Sequence, residues 1–483
     1  MSIKHLFIKA ILALSSSVLI ISSAFAEEPF VPWRVNETLD LPEWLKVSGN
    51  SRARFESANG VLAGSGSGSD QALLFRTRIK AEIQRGELDI VTEFADSRQQ
   101  IADDDSKVTS SMVNTLSIAQ AYVGYHYRSM FSLDSDNYVK IGRQTMDLGS
   151  RRLVARNGYR NTMNNFTGIN NNWQLDSGES LTAFYMFPVV RTPGDRQDLV
   201  DNKYEADEEN FKSNFLGVFF TSPTLIDSVN TELFLFGLVE EDGPDFTTRN
   251  RDLLTLGARI YKRKKVGEYD YEFETMWQTG ESRESAALSD EDSLDHLAHF
   301  QHAEIGYTLT DDHETRIALE LDYASGDKDP NDGKNNRFDT LYGARRADFG
   351  PTSIYGPFAR SNLIAGGMRL EYFPLDKISV MIADKFYWLA SDTDSWTTTG
   401  IRDESGESDR YLGNQIEARL RWDPLPYSLR FEFGAAYLFS GSFLHDTRDR
   451  IEAELPVSTS SNPIFEHDNA DISMFYMTVL FTY

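Results

Sequence analysis

The sequence has no cysteine among its 483 residues. For a chain that leaves the cytoplasm, this excludes disulfides, thiolate metal sites and a cysteine nucleophile together. Positive charge is also scarce, with 48 lysines and arginines against 74 acidic residues. A nucleic-acid partner is therefore excluded, because phosphate binding needs a basic surface. Long apolar runs are missing after the first 26 residues, so no membrane-spanning helix is predicted. Pro- or Ser-rich linkers and abrupt shifts of composition are absent too, which argues against a string of small domains.

What is present begins with a secretory signal. Lys4, His5 and Lys9 form a basic start, Ala10–Ser23 is a short apolar segment, and Ala24-Phe25-Ala26 fits the small-x-small cleavage rule. Residues 1–26 are read as a signal peptide, 27–45 as a periplasmic lead-in and 46–483 as the folded unit. Without Lys4 and Lys9, 46 basic and 74 acidic residues remain, a formal charge of −28.

From there period-2 patterning runs to the end. In Tyr269–Glu274 the aromatics Tyr269, Tyr271 and Phe273 alternate with Asp270, Glu272 and Glu274. Ile317, Leu319, Leu321 and Tyr323 alternate with Arg316, Ala318, Glu320 and Asp322. Eighteen such runs are predicted as strands, including 46–57, 72–85, 299–311 and 470–483. Short connections such as those near 86, 177 and 426 alternate with long polar ones at 98–116, 191–210, 280–298, 327–360, 391–410 and 442–469. Long strands with a charged face cannot pack that face into a dry core. The reading is an all-β transmembrane antiparallel barrel of about 18 strands, with short periplasmic turns and long extracellular loops. Phe475, Met477, Val479, Phe481 and Tyr483 share one parity and resemble the terminal strand by which outer-membrane barrels are recognised for assembly.

Two segments carry a family resemblance. Ile141–Asn170 (IGRQTMDLGSRRLVARNGYRNTMNNFTGIN) and Ala318–Gly350 (ALELDYASGDKDPNDGKNNRFDTLYGARRADFG) resemble the signatures of the alginate export family of outer-membrane porins. Thr167 stands where that family usually has aspartate. The resemblance implies a barrel in the Gram-negative outer membrane, in contact with lipid, lipopolysaccharide, the barrel assembly machinery and periplasmic export partners. It implies passage of an anionic polysaccharide, alginate or a similar polyuronate, from periplasm to exterior. An anion-selective diffusion porin importing small anions or oligouronates, and a barrel hydrolase, are the alternatives. No G-x-S-x-G elbow and no His-Glu-x-x-His helix is present, so no enzyme activity and no cofactor are expected.

Counting parity puts Arg52, Arg54, Arg76, Arg78, Lys80, Arg369, Arg419, Arg421 and Arg430 on the face opposite the apolar residues, as a basic ladder for a carboxylated chain. The structural reading of the same residues is cross-strand pairing, because Glu56, Glu82, Glu371, Glu417 and Glu432 share that parity. Ile141–Asn161 adds five arginines in 21 residues. Arg143 follows Val139 and Ile141 outward unless Gly142 hosts a bulge that turns it inward. Arg151, Arg152, Arg156 and Arg160 lie on or beside a loop expected to fold inward. Asp327, Asp329 and Asn331 form an oxygen-rich turn and are the one candidate calcium site, although the pattern fails the EF-hand test at Asp332 and Phe338.

Overall fold

The computed structural model describes residues 32–60, 69–102, 106–130, 133–226, 228–243, 246–447 and 471–483. The signal-peptide expectation for 1–26 lies outside them. The strands are β1 (Leu45–Asn59), β2 (Ser69–Arg85), β3 (Leu88–Gln100), β4 (Asn114–Met130), β5 (Leu133–Gln144), β6 (Phe166–Leu175), β7 (Ser180–Val190), β8 (Glu208–Glu209), β9 (Ser213–Ile226) and β10 (Val229–Glu240). They continue as β11 (Asp252–Lys262), β12 (Tyr269–Ser282), β13 (Leu294–Thr308), β14 (Arg316–Ala324), β15 (Lys334–Asn335), β16 (Leu363–Leu375), β17 (Ile378–Trp388), β18 (Tyr411–Leu425), β19 (Leu429–Ser440) and β20 (Ile472–Thr482).

Apart from the two-residue β8 and β15, these form a closed antiparallel barrel of 18 strands. Each barrel strand pairs with its neighbour in sequence, and β20 closes on β1 from Asn50↔Thr482 to Asn59↔Ser473. Closure leaves no unpaired edge, which is what a sheet in hydrocarbon requires. Burial follows the alternation. On β14, Ile317, Leu319 and Leu321 are 48–61 % exposed, while Arg316, Ala318, Glu320 and Asp322 are 1–6 % exposed. Such an arrangement is inside-out for water and correct for lipid.

Strand existence follows the expectation, and one boundary differs notably. β13 begins at Leu294, not near 299. His296, His299 and His302 hide the alternation there, but Asp295 and His296 pair with Glu281 and Gly280 of β12.

Before β1, the short helix α1 (Val35–Thr38) lies at the periplasmic end of the β1–β20 seam. Trp33 stacks on Phe481 with ring centroids 5.8 Å apart, and Asn36 Oδ1 accepts the Val47 amide at 2.7 Å. The short helices of the extracellular loops include α2 (Arg196–Val200) and α3 (Arg346–Phe349).

The apolar core sits inside the barrel, in its extracellular half. Loops 145–165 and 325–362 fold into the lumen and are joined to each other. Val154 bridges Tyr342, the Tyr342 amide donates to Leu153 O at 2.9 Å, and the Ala344 amide donates to Arg151 O at 2.9 Å. Their apolar residues Met146, Leu153, Val154, Phe349 and Phe358 belong to the same cluster as the inward-facing Phe166, Phe184, Phe215, Phe234 and Phe236 of β6–β10. One sector of the inner wall is thus aromatic and dry, where alternation alone predicts a wet charged face throughout.

Candidate substrate pathway

The inner wall of β1 and β2 is basic because Arg52 and Arg76 are direct cross-strand partners, with Arg54 and Arg78 next to them. Loop residues 158–161 lie across these side chains. Arg52 donates to Tyr159 O at 2.9 Å, Arg160 O at 2.9 Å and Asn161 Oδ1 at 3.0 Å. Arg76 donates to Gly158 O and Arg160 O, both at 3.0 Å. Arg54 donates to Tyr159 O at 2.9 Å and lies 4.0 Å over the Tyr159 ring. Asn161 fixes the loop by donating to Phe75 O at 3.0 Å and Met112 O at 2.8 Å. These arginines therefore hold backbone carbonyls, which are neutral, so most of their charge stays uncompensated. Glu56, 3.5 Å from Arg54, and Glu93, 3.3 Å from Arg78, are the carboxylates that pair with this wall.

Arg160 extends the wall outward. Its guanidinium makes no ion pair among the described residues, and burial, followed by Arg191 and Arg345, pushes its pKa down to about 9. Arg345 is brought to about 10 by burial and by Arg360. Lys107 is lowered to about 8, chiefly by burial, with Asp70 opposing the shift. All three remain cationic at neutral pH. Arg156 is half-exposed and pairs with Asp147 at 3.3 Å.

The wall from β10 to β17 is built on the opposite principle. Arg152 donates to both Asp348 oxygens at 3.1 and 3.0 Å and to Glu274 at 2.6 Å, and it also reaches Glu272. Arg360 shares Asp348. Arg316 pairs with Asp270 at 3.0 Å and with Glu304, and Arg259 pairs with Glu232 at 3.0 Å. Arg369 pairs with Glu320 at 2.8 Å, and Lys385 shares that carboxylate. Here each guanidinium meets carboxylates, and the positive charge is cancelled locally.

Below the two inward loops the lumen opens. Lys80 pairs with Glu82, Arg421 with Glu432 at 2.5 Å, and Arg430 with Asp423 at 2.7 Å. Arg419 has no ion-pair partner among the described residues; it lines a cavity of about 130 Å³ with Lys264, Glu371, Ser379 and Arg421. Across the lumen wall, Lys140 points inward from β5, 5.4 Å from the Tyr122 ring and 5.2 Å from the Tyr138 ring.

One expectation needs correction. Arg143 is not on the pore wall: the β5–β6 register runs unbroken through Gly142↔Gly168, so no bulge turns it, and it keeps the outward parity of Ile141. It binds Glu209 at 2.6 Å, from the 191–212 loop. Asp327, Asp329 and Asn331, the candidate calcium turn, are engaged within their own loop. Asp327 and Asp329 accept backbone amides of Asn336 at 3.3 Å and Asn331 at 3.0 Å. No group of three His, Asp or Glu side chains suited to a metal occurs among the described residues.

Lys140, Arg191 and Arg345 belong to the basic surface and were missed. Lys140 sits between Val139 and Ile141, so the parity rule that selected Arg419 selects it as well. Arg191 and Arg345 lie in loops, where no periodicity marks direction.

The barrel is similar to solved outer-membrane porins. It matches OpdK of Pseudomonas aeruginosa, crystallised with vanillate, at 13 % identity and a TM-score of 0.51, over 91 % of this chain and 98 % of that one. P. aeruginosa OccK2 (OpdF), in complex with glucuronate, matches at 12 % identity and 0.51, over 91 % and 97 %. A BenF-like porin from Pseudomonas fluorescens Pf-5 matches at 10 % identity and 0.54, over 91 % and 98 %. At such identities the likeness establishes the fold. No curated protein matches the sequence. The model of the alginate export family matches residues 43–458, so this chain, an outer-membrane β-barrel porin, belongs to the alginate export family.

Proposed function

We propose that this porin conducts an acidic polysaccharide of the polyuronate type, alginate or a close analogue, from periplasm to exterior along the basic wall of β1 and β2. The observation that carries the reading is the imbalance on that wall. Arg52, Arg54, Arg76, Arg78 and Arg160 are set against two carboxylates, Glu56 and Glu93; Arg52, Arg54 and Arg76 are buried beneath loop 158–161, so this wall acts on an anion in the lumen through its net positive field. Polyuronates bear one carboxylate per sugar, and a field from fixed, covered guanidiniums attracts such a chain without holding it at one site. Movement is passive, with synthesis behind and dilution ahead. No chemistry is required.

A second reading, import of small anions or oligouronates, is favoured by the two loops that fill the extracellular half of the lumen. Solved porins of similar fold, captured with glucuronate and with vanillate, bind single carboxylates. Single-channel recording separates the two. Under the export reading polymannuronate blocks current at far lower concentration than monomeric mannuronate. Equal potency per carboxylate transfers the assignment to small anions.

A further inference from the structure

The periplasmic half of the lumen carries a surface that the basic wall does not account for. Tyr122 of β4 and Tyr138 of β5 both occupy inward positions, flanking the Lys140 ammonium at 5.4 and 5.2 Å. Both rings are partly open to the lumen. Inward parity separates them from the lipid-facing aromatics of the same strands, such as Tyr125, which is 48 % exposed on the outer face. Their orientation is built into the sheet. Tyr138 crosses Gly124, where any Cβ would stand 2.3 Å from the Tyr138 hydroxyl oxygen. His126 then stacks on Tyr138 at 4.1 Å with 18° between planes, and His126 is held by Asp89 at 2.9 Å.

Lys140 has no ion-pair partner among the described residues, unlike neighbouring Lys80. Directly across from Lys140 and Tyr138 on β6 stand Asn170 and Asn172. The wall thus presents the Tyr122 ring, the Tyr138 ring with His126 covering one face, one ammonium without an ion pair, and the side-chain carbonyls of two amides whose Nδ2 groups donate to Met146 Sδ at 3.6 Å and Thr182 Oγ1 at 2.9 Å.

We propose that Tyr122, Tyr138 and Lys140, with Asn170 and Asn172, form a saccharide-binding platform for a uronate sugar in the periplasmic vestibule. The proposal deepens the polyuronate reading and rests on it for its ligand class. A pyranose has an apolar C–H face that packs on tyrosine and a rim of hydroxyls that amides recognise. The carboxylate of a uronate adds one charge, which Lys140 matches. The basic wall above supplies charge without aromatic surface. The platform therefore distinguishes a sugar acid from a simple anion before it reaches the arginines.

The test uses oriented full-length protein in planar bilayers, with polymannuronate added on the periplasmic side. Tyr122→Ala/Tyr138→Ala is expected to shorten the blocked dwell time by about tenfold, with chloride-over-potassium selectivity unchanged. Lys140→Met is expected to weaken block by polymannuronate and leave block by neutral dextran as in the wild type. Wild-type dwell times in the double tyrosine variant overturn the platform while the polyuronate reading stands. Saturation-transfer NMR with monomeric glucuronate gives an answer independent of polymer transport. Signal in the wild-type protein that disappears in the tyrosine variant supports the platform, and absence of signal in the wild type overturns it. Should polymannuronate fail to block the wild type while glucuronate still contacts the tyrosines, the polymer reading fails and the platform remains.

Discussion

The two charged walls of the lumen use the same side chain for opposite ends. On β1 and β2, Arg52 and Arg76 hold carbonyl oxygens of residues 158–160. On the β10–β17 side, Arg316 and Arg369 of the strands and Arg152 of the inward loop hold carboxylates. Both arrangements engage the terminal guanidinium nitrogens, while the Nε of Arg52, Arg76 and Arg369 has no partner among the described residues, and both fix a loop or a strand. They differ in the field that remains. A carbonyl leaves the charge in place, whereas a carboxylate cancels it, so a count of inward arginines does not give the selectivity of the pore. The partner decides.

The comparison breaks most severely at Asp348, the carboxylate shared by Arg152 and Arg360. Asp348→Ala leaves the buried Arg360 without its anion and takes from Arg152 one carboxylate of three, Glu272 and Glu274 remaining; removing one partner of a buried pair costs about 3–5 kcal/mol. Loops 145–165 and 325–362 are expected to detach, seen as new protease cleavage there and as larger single-channel conductance. Unchanged conductance and protease resistance would mean that the apolar cluster alone holds the plug. The same carboxylate fixes a pH dependence. Burial opposes its ionisation, but Arg152 and Arg360, with His302, hold its pKa well below the ordinary range. A depressed carboxylate pKa contributes stability above the unfolded value, about 3.9 for aspartate, and that stability is lost as pH falls through the folded value. The plug is therefore expected to stay closed from pH 7 to pH 5 and to loosen only in stronger acid, as conductance against pH will report.

A sharper contrast comes from removing charge without changing it elsewhere. Arg76→Met deletes a cation whose partners are carbonyls, so anion preference, read as reversal potential in a salt gradient, is expected to fall. Asp270→Asn with Arg316→Met removes a cation and its anion together and should leave the reversal potential near wild type. Equal shifts in the two variants would erase the distinction between the walls. Each hydrogen bond from a charged donor contributes about 1.5–3 kcal/mol, so Arg76→Met also weakens the grip on loop 156–163.

Much of this architecture was legible in the sequence, because lipid forces a strict period of two on every strand. Ile317, Leu319 and Leu321 could point only outward, and Arg52, Arg54 and Arg76 only inward. Alternation does not report what faces a residue across the lumen. Arg152 and Asp348 are 196 positions apart in sequence and meet only because two loops enter the barrel. Phe234, Phe236 and Leu238 share a strand with outward Leu233 and Leu235, and that doubly apolar run was the available sign that the inner wall there is covered. For Arg143, parity was the right guide, and the bulge considered at Gly142 does not form.

The smallest effect is expected where a pair resembles the buried network in geometry but not in surroundings. Arg430 and Asp423 are joined by two hydrogen bonds, 2.7 and 2.8 Å, at the periplasmic rim. The fork matches that of Arg152 on Asp348. Yet the side chains of Arg430 and Asp423 are 41 and 30 % exposed, where those of Arg152 and Asp348 are 8 and 6 % exposed. Water and salt screen the rim pair, so its contribution falls to about 0.2–1 kcal/mol. Asp423→Asn with Arg430→Gln should leave the denaturation midpoint and the reversal potential close to wild type, with any difference shrinking as salt is raised from 0.1 to 1 M, where the screening length drops from about 10 to 3 Å. A loss comparable to that of Asp348→Ala would show that bidentate geometry, and not burial, sets the strength of the ion pairs lining this lumen.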